Sequence, residues 1–152
     1  MIALIQRVLE SSVTVGSEMI DRTDYGILVL LGVKITDKEE DAVYLASKTA
    51  NLRIFSDENG KMNLSLIDTG YEAMVVSQFT LYGDTRHGNR PDFTQSADAV
   101  TAEKLYELYI QELSKIIGAR RVHTGKFGAM MKVGLINDGP VTVILRSKGD
   151  YI

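Results

Sequence analysis

The chain has 152 residues, 45% of them apolar and 24% charged, a balance that favours one folded domain spanning residues 1–152 and excludes intrinsic disorder. It contains no cysteine, which removes disulfides, thiolate catalysis and cysteine-bound metals. A net charge of −3 and a pI near 5.4 count against avid, non-specific nucleic-acid binding, though not against gripping a single RNA end.

The opening Met1-Ile2-Ala3-Leu4-Ile5-Gln6-Arg7 is too brief an apolar run for a signal peptide, and no small-residue cleavage site follows it. No stretch approaches the roughly 20 apolar residues of a membrane span, so a cytoplasmic address and no membrane partner are expected. Residues 2–15 read as a first strand ending in the alternation Ser12-Val13-Thr14-Val15, and after a Gly16-Ser17 turn residues 18–22 return antiparallel. Residues 26–33 are apolar on both faces and suit a buried central strand. A helix follows, with Thr36 and Glu39 spaced as a capping box and Ala42, Val43, Leu45, Ala46 and Ala50 on one face.

Residues 53–55 and 62–67 read as strands around the turn Asp57-Glu58-Asn59-Gly60, and residues 72–81 as a further strand. A polar loop over 83–98 leads to a second helix, capped by Thr101, whose apolar face is Leu105, Leu108, Tyr109, Leu113, Ile116 and Ile117. Strands at 121–123, 130–136 and 141–146 complete the chain, the last two joined by an Asn137-Asp138-Gly139-Pro140 turn. Two helices against many strands give an α/β protein of the α+β type: a curved, barrel-like mixed sheet with two main helices packed outside.

Three segments are candidates for chemistry. Alternation along Val75-Val76-Ser77-Gln78-Phe79-Thr80-Leu81-Tyr82 puts Gln78, Thr80 and Tyr82 on one face, either a site wall or a half-exposed sheet surface; the pattern alone favours the surface. Ser77 or Thr80 as nucleophile would need a base, and neither His87 nor His123 has a recognised spacing to them. Two isolated histidines without clustered carboxylates make a poor ligand set, so no metal and no cofactor are expected.

The glycine-rich Thr124-Gly125-Lys126-Phe127-Gly128-Ala129-Met130 lacks phosphate-loop spacing and reads as a loop between strands. Within it Phe127 is either a stacking face for a base or a core residue. In Asn137-Asp138-Gly139-Pro140-Val141-Thr142, base rates of about 5–6% cis for X–Pro bonds favour a trans turn. Arg86, His87 and Arg90, and separately Arg120, Arg121, Lys126 and Lys132, read as scattered surface charges.

Taken together, these segments resemble the D-aminoacyl-tRNA deacylase family. Its Ser-Gln-Phe-Thr-Leu motif stands intact at Ser77-Gln78-Phe79-Thr80-Leu81, and its Asn-x-Gly-Pro-x-Thr motif at Asn137, Gly139, Pro140 and Thr142. The segment from Thr124 to Met130, Gly88-x-Arg90-Pro91 and the first eight residues are similar as well, so the likeness spans essentially the whole chain. Asp92 departs from the small hydroxyl residue more usual there.

The resemblance implies a homodimer in which Gly139 and Pro140, joined by a cis bond, enter the partner's pocket. It implies hydrolysis of the ester of D-aminoacyl-tRNA, and of glycyl-tRNA mischarged on tRNA(Ala), with the 3′-terminal adenosine as the bound partner and no DNA. It implies an oxyanion held by the backbone N–H groups of Phe79 and Thr80, beside Ser77 and Gln78, with the Thr80 side chain doubtful as nucleophile. The 2′-OH of the terminal ribose would orient water. Substrate would be bound by Gly139, Pro140, Asn137, Phe127, Ala129 and Met130. Two other readings stand beside this one: a small-molecule esterase or amidase using Thr80 or Ser77, and a non-enzymatic nucleic-acid-binding module.

Overall fold

The sheet is assembled on β1 (Ile2–Val15), a strand long enough to serve different partners along one edge. In the computed structural model, which describes residues 1–150, β3 (Gly26–Gly32) pairs antiparallel with residues 2–8 of β1 and β2 (Glu18–Thr23) with residues 11–15. The opposite edge of β1 is covered over its length by antiparallel β8 (Met131–Arg146), from Ile2↔Arg146 to Val15↔Met131. Parallel to β3 runs β6 (Glu72–Ser77), and parallel to β6 runs β7 (Val122–Thr124). The sheet curls until β7 meets β2, where His123 Nδ1 and Asp21 Oδ1 lie 2.9 Å apart, leaving a nearly closed barrel. A separate hairpin, β4 (Phe55–Ser56) and β5 (Met62–Leu64), lies outside it.

Both faces of the central strands are buried, which is why β3 reads as unbroken apolar sequence. Ala3, Ile5, Ile27, Val29, Leu31, Ala73 and Val75 pack beneath the helices α1 (Glu39–Ala50) and α3 (Ala99–Ile117). Val8, Val13, Leu28, Met74 and Val76 form a second buried cluster on the other face of the sheet. On α1 the buried residues are Ala42, Leu45, Ala46, Thr49 and Ala50, whereas Val43 is exposed. On α3 Tyr106 joins Leu105, Tyr109, Leu113 and Ile117 in the core, and Ile116 faces out.

Several local expectations are corrected. The first helix begins at Glu39, with Asp41 Oδ2 accepting from Lys38 N at 2.9 Å, so Thr36 is not its cap. The cap of α3 is Asp98, whose carboxylate accepts from Val100 N and Thr101 N, each at 3.0 Å; Thr101 lies inside the first turn and its hydroxyl donates to Asp98 Oδ2 at 2.7 Å. Residues 62–67 are not one strand, because Ser65 and Asp68 cap a third short helix, α2 (Leu66–Thr69), that Gly70 ends at φ +73°. The strand expected over 72–81 stops at Ser77. The two strands expected at 130–136 and 141–146 are one strand, β8, interrupted by a bulge rather than a turn.

Candidate active site

A cavity of about 680 Å³ opens where the parallel strands β3 and β6 end, the position at which open α/β sheets hold their ligands. Leu31 and Val33 close it from the end of β3 and the residue after it, Ser77, Gln78, Phe79 and Thr80 from the end of β6 and the turn that follows, and Phe127, Gly128, Ala129, Met130 and Met131 from the segment that leads into β8. Ala97, just before the cap of α3, and Ala99, Ala102 and Tyr106 from its first two turns complete the lining. The three alanines leave room there that larger residues would fill.

The wall carrying Gln78 to Thr80 is not a strand. After Ser77 the chain enters a 3-10 turn, Phe79–Tyr82, so strand alternation ceases to apply. Gln78 N donates to Leu31 O at 2.8 Å, tying the turn to the end of β3. The Gln78 side-chain amide donates to Thr80 Oγ1, and Ser96 Oγ donates to Phe79 O at 3.0 Å. Leu81 N and Gly83 N satisfy Gln78 O and Thr80 O at 3.4 and 3.0 Å. The N–H groups of Phe79 and Thr80, at the start of the turn, have no acceptor among the described residues. Phe79 is 57% exposed and meets Phe93 edge-on with centroids 5.0 Å apart.

The facing segment is fixed by Gly125 N donating to Val75 O at 3.1 Å and by Gly128 at φ +72°, a conformation that favours glycine. Phe127 is half-buried against Tyr106, centroids 5.6 Å apart, and lines the cavity, so it serves both core and site wall. Met130 beside it is 92% exposed. The only ionisable side chain in the lining is Tyr106, whose hydroxyl donates to Val75 O at 2.9 Å and whose acidity burial suppresses. Neither His87 nor His123 reaches the cavity.

Asn137, Gly139 and Pro140 lie elsewhere, outside the cavity of their own chain. The register of β8 on β1 runs from Val8↔Asn137 to Gln6↔Thr142, so residues 138–141 loop out opposite Arg7 alone. Asn137 ties the base of this loop: its Oδ1 accepts from Val141 N at 2.7 Å and its Nδ2 donates to Val141 O at 3.1 Å. Arg7 braces it from below, donating to Asp138 O at 2.9 Å and Ile54 O at 2.7 Å, with Nε 3.2 Å from the Asp138 carboxylate. Tyr25 donates to Asp138 Oδ2 at 3.1 Å, and that bond raises the pKa of its phenol. At the apex Gly139 adopts φ +146°, the Gly139–Pro140 peptide bond is cis, and both residues are exposed.

The structure therefore brings Ser77, Gln78, Phe79, Thr80, Phe127, Ala129 and Met130 together and holds Asn137, Gly139 and Pro140 apart on a projecting loop. Sequence reading misses Ala97, Ala99, Ala102 and Tyr106. The small-residue spacing Ala97-x-Ala99-x-x-Ala102 before an aromatic is the signal that could have found them. Among the described residues no group of three potential metal ligands occurs, and no helix is long and apolar enough to cross a membrane.

The fold is a curled α+β sheet with an apolar pocket, walled by a turn whose first N–H groups have no acceptor among the described residues. The chain belongs to the D-Tyr-tRNA(Tyr) deacylase family, which matches it over residues 4–146. A protein of Roseiflexus sp. (strain RS-1) named D-aminoacyl-tRNA deacylase is 53% identical over 145 residues, 95% of this chain and 92% of that one. A protein of the same name from Bacillus cytotoxicus is 50% identical, covering 95% and 98% of the two chains.

Among solved structures, one named "c-Myc DNA Unwinding Element Binding Protein" superposes with a TM-score of 0.92 at 42% identity, over 97% of this chain and 99% of the other. A second, described as "Structural Analysis of a probable eukaryotic D-amino acid tRNA deacylase", gives 0.83 at 16% identity, over 95% and 97%, a likeness of fold.

Proposed function

We propose that this protein hydrolyses the ester of D-aminoacyl-tRNA, and of glycyl-tRNA mischarged on tRNA(Ala), in the cytoplasm. The observation that carries the reading is the turn Phe79–Tyr82, which offers two unengaged N–H groups beside a cavity that holds no general base. An aminoacyl ester is already activated, so its hydrolysis needs an oriented water and a stabilised oxyanion more than a strong nucleophile. The N–H groups of Phe79 and Thr80 take the developing oxyanion. The 2′-OH of the terminal ribose, a donor and an acceptor, orients the water. Thr80 is engaged with Gln78, which gives its hydroxyl an orienting rather than an attacking part.

Selection by handedness falls to Gly139 and Pro140. Their loop projects from the surface and does not reach the cavity of its own chain, which supports its acting in a second copy within a homodimer. The carbonyls of Gly139 and Pro140 then accept from the substrate's α-ammonium, leaving space for hydrogen but not for an L side chain. A D side chain points outward, and glycine has nothing to exclude, as expected of an editing site. Asn137 holds the loop, while Phe127, Ala129 and Met130 flank the terminal adenosine.

The acidic balance favours this reading over capture of DNA, which the name of one structural relative mentions. Purified protein mixed with D-tyrosyl-tRNA and followed by release of D-tyrosine tests it. Turnover is expected, whereas binding with the ester left intact would identify a nucleic-acid-binding module instead.

A further inference from the structure

The 3-10 turn is tied at its start by Gln78 N on Leu31 O, and its end needs a second tether if the intervening N–H groups are to stay fixed. Tyr82, the last residue of the turn, supplies one. Its ring lies over Gly32, where an added Cβ would sit 3.3 Å from Tyr82 Cε2, and its hydroxyl donates to Asp150 Oδ2. Asp150 lies in the closing 3-10 turn Lys148–Asp150 and is 7% exposed. It is held there by more than Tyr82. Lys34 Nζ lies 3.1 Å from its Oδ1, and the Met1 ammonium lies 2.8 Å from its Oδ2. The same ammonium reaches Asp37 Oδ1 and Ser147 Oγ, each at 2.6 Å, and Lys34 N donates to Asp37 Oδ2 at 2.6 Å.

Two carboxylates thus face two cations in a nearly dry cluster, where removing one partner leaves another charge uncompensated. Such an arrangement fixes Asp150 as an acceptor and makes the Tyr82 hydroxyl its outward branch toward the cavity wall. Burial raises the Asp150 carboxyl, but hydrogen bonds from the Met1 ammonium, Tyr82 and Lys34 outweigh it and keep the group below its ordinary range, so it stays an acceptor at neutral pH.

We propose that Tyr82 and Asp150 are positioning residues for the hydrolytic site: their bond pins the far end of the turn that carries the Phe79 and Thr80 N–H groups. The proposal rests on the hydrolytic reading above. It assigns a part in the reaction to Asp150, which lies beyond the segment matched by the family.

The test compares Tyr82→Phe, Asp150→Asn and Asp37→Asn with the unmodified protein on D-tyrosyl-tRNA, with hydrogen–deuterium exchange read at the turn and thermal unfolding recorded for each. Asp37→Asn is the control, since it removes a charge from the same cluster while leaving both partners of the Tyr82–Asp150 bond in place. Tyr82→Phe and Asp150→Asn should lower kcat about tenfold with KM within about twofold, as misplacement of reacting groups does. Exchange at Leu81 and Gly83 should quicken in both.

Asp37→Asn should leave kcat within about twofold even where it lowers Tm as much. A kcat retained within about twofold in Tyr82→Phe, or an equal loss in Asp37→Asn, would overturn the assignment. Absence of turnover in the unmodified protein would sink the hydrolytic reading alone. Exchange then decides the pinning, with faster turn amides in Tyr82→Phe supporting it and unchanged ones refuting it.

Discussion

Gly32→Ala probes the turn proposed to be catalytic without replacing any residue of it. A Cβ on Gly32 would lie 3.1 Å from Gln78 O, 3.2 Å from Leu81 Cβ and 3.3 Å from Tyr82 Cε2, three contacts on one turn. Each is tighter than ordinary packing, so the turn must give by a few tenths of an ångström. It cannot slide freely, because Gln78 N is bonded to Leu31 O, one residue from the substitution.

Overpacking of this kind costs about 1–3 kcal/mol of stability, a fall in Tm of a few degrees for a chain of this size. Oxyanion donors act at about 2.7–3.1 Å, and losing one outright costs roughly 2.7–4 kcal/mol of transition-state stabilisation. A partial displacement should therefore take about 1.4 kcal/mol, a tenfold fall in kcat. Single-turnover hydrolysis of saturating D-tyrosyl-tRNA, well below the variant's Tm, reads that fall apart from stability. An unchanged rate in a variant whose Tm has dropped would refute the claim that the backbone of this turn does the chemistry.

Other perturbations separate the parts of the account. Gly139→Ala places a Cβ 2.7 Å from both Val141 N and Val141 Cγ2 at φ +146°, so the projecting loop must reshape. The ratio of D- to L-tyrosyl-tRNA cleavage should fall at least about tenfold, as expected when a sterically selective contact is lost. Thr80→Ala should retain hydrolysis within about tenfold of the unmodified rate, whereas near-complete loss would restore a threonine nucleophile. A substrate ending in 2′-deoxyadenosine should react far more slowly with the unmodified protein, and an equal rate would remove the RNA hydroxyl from the mechanism. Asp98 offers a pH test. Hydrogen bonds from Thr101 N and Thr101 Oγ1, then Val100 N, hold its carboxyl below the ordinary 3.8, so its contribution is present above that pH and lost as pH falls through the lower folded value. Asp98→Ala should lower Tm at pH 7, with the gap closing below about pH 4. A gap constant down to pH 2 would contradict the cap.

The fold is legible where burial is two-sided or periodic. Residues 26–33 announce a central strand because both faces are dry, and α3 shows its stripe at Leu105, Tyr109 and Leu113. Local caps mislead where two capping residue types stand a few positions apart: Asp98 caps the helix, and Thr101, inside its first turn, donates both its N–H and its hydroxyl to Asp98. The site is half legible. Its motifs mark Ser77, Gln78, Phe79 and Thr80, but the alternation used to orient them fails once the chain leaves β6 for a 3-10 turn, a change no periodicity signals.

The bulge in β8 reads as a turn because Asn137-Asp138-Gly139-Pro140 carries turn chemistry, while the pairing that continues on either side depends on β1, more than a hundred residues away. Tyr82 and Asp150 are invisible as a pair for the same reason, since only the folded chain sets them side by side.

The central claim is that handedness at one carbon decides whether the ester is cut. Equal concentrations of D-tyrosyl-, glycyl- and L-tyrosyl-tRNA, each incubated with the unmodified protein, measure it directly. The account predicts release of D-tyrosine and glycine and an L ester that survives as long as it does in buffer; cleavage of the L ester at the rate of the D ester would contradict it.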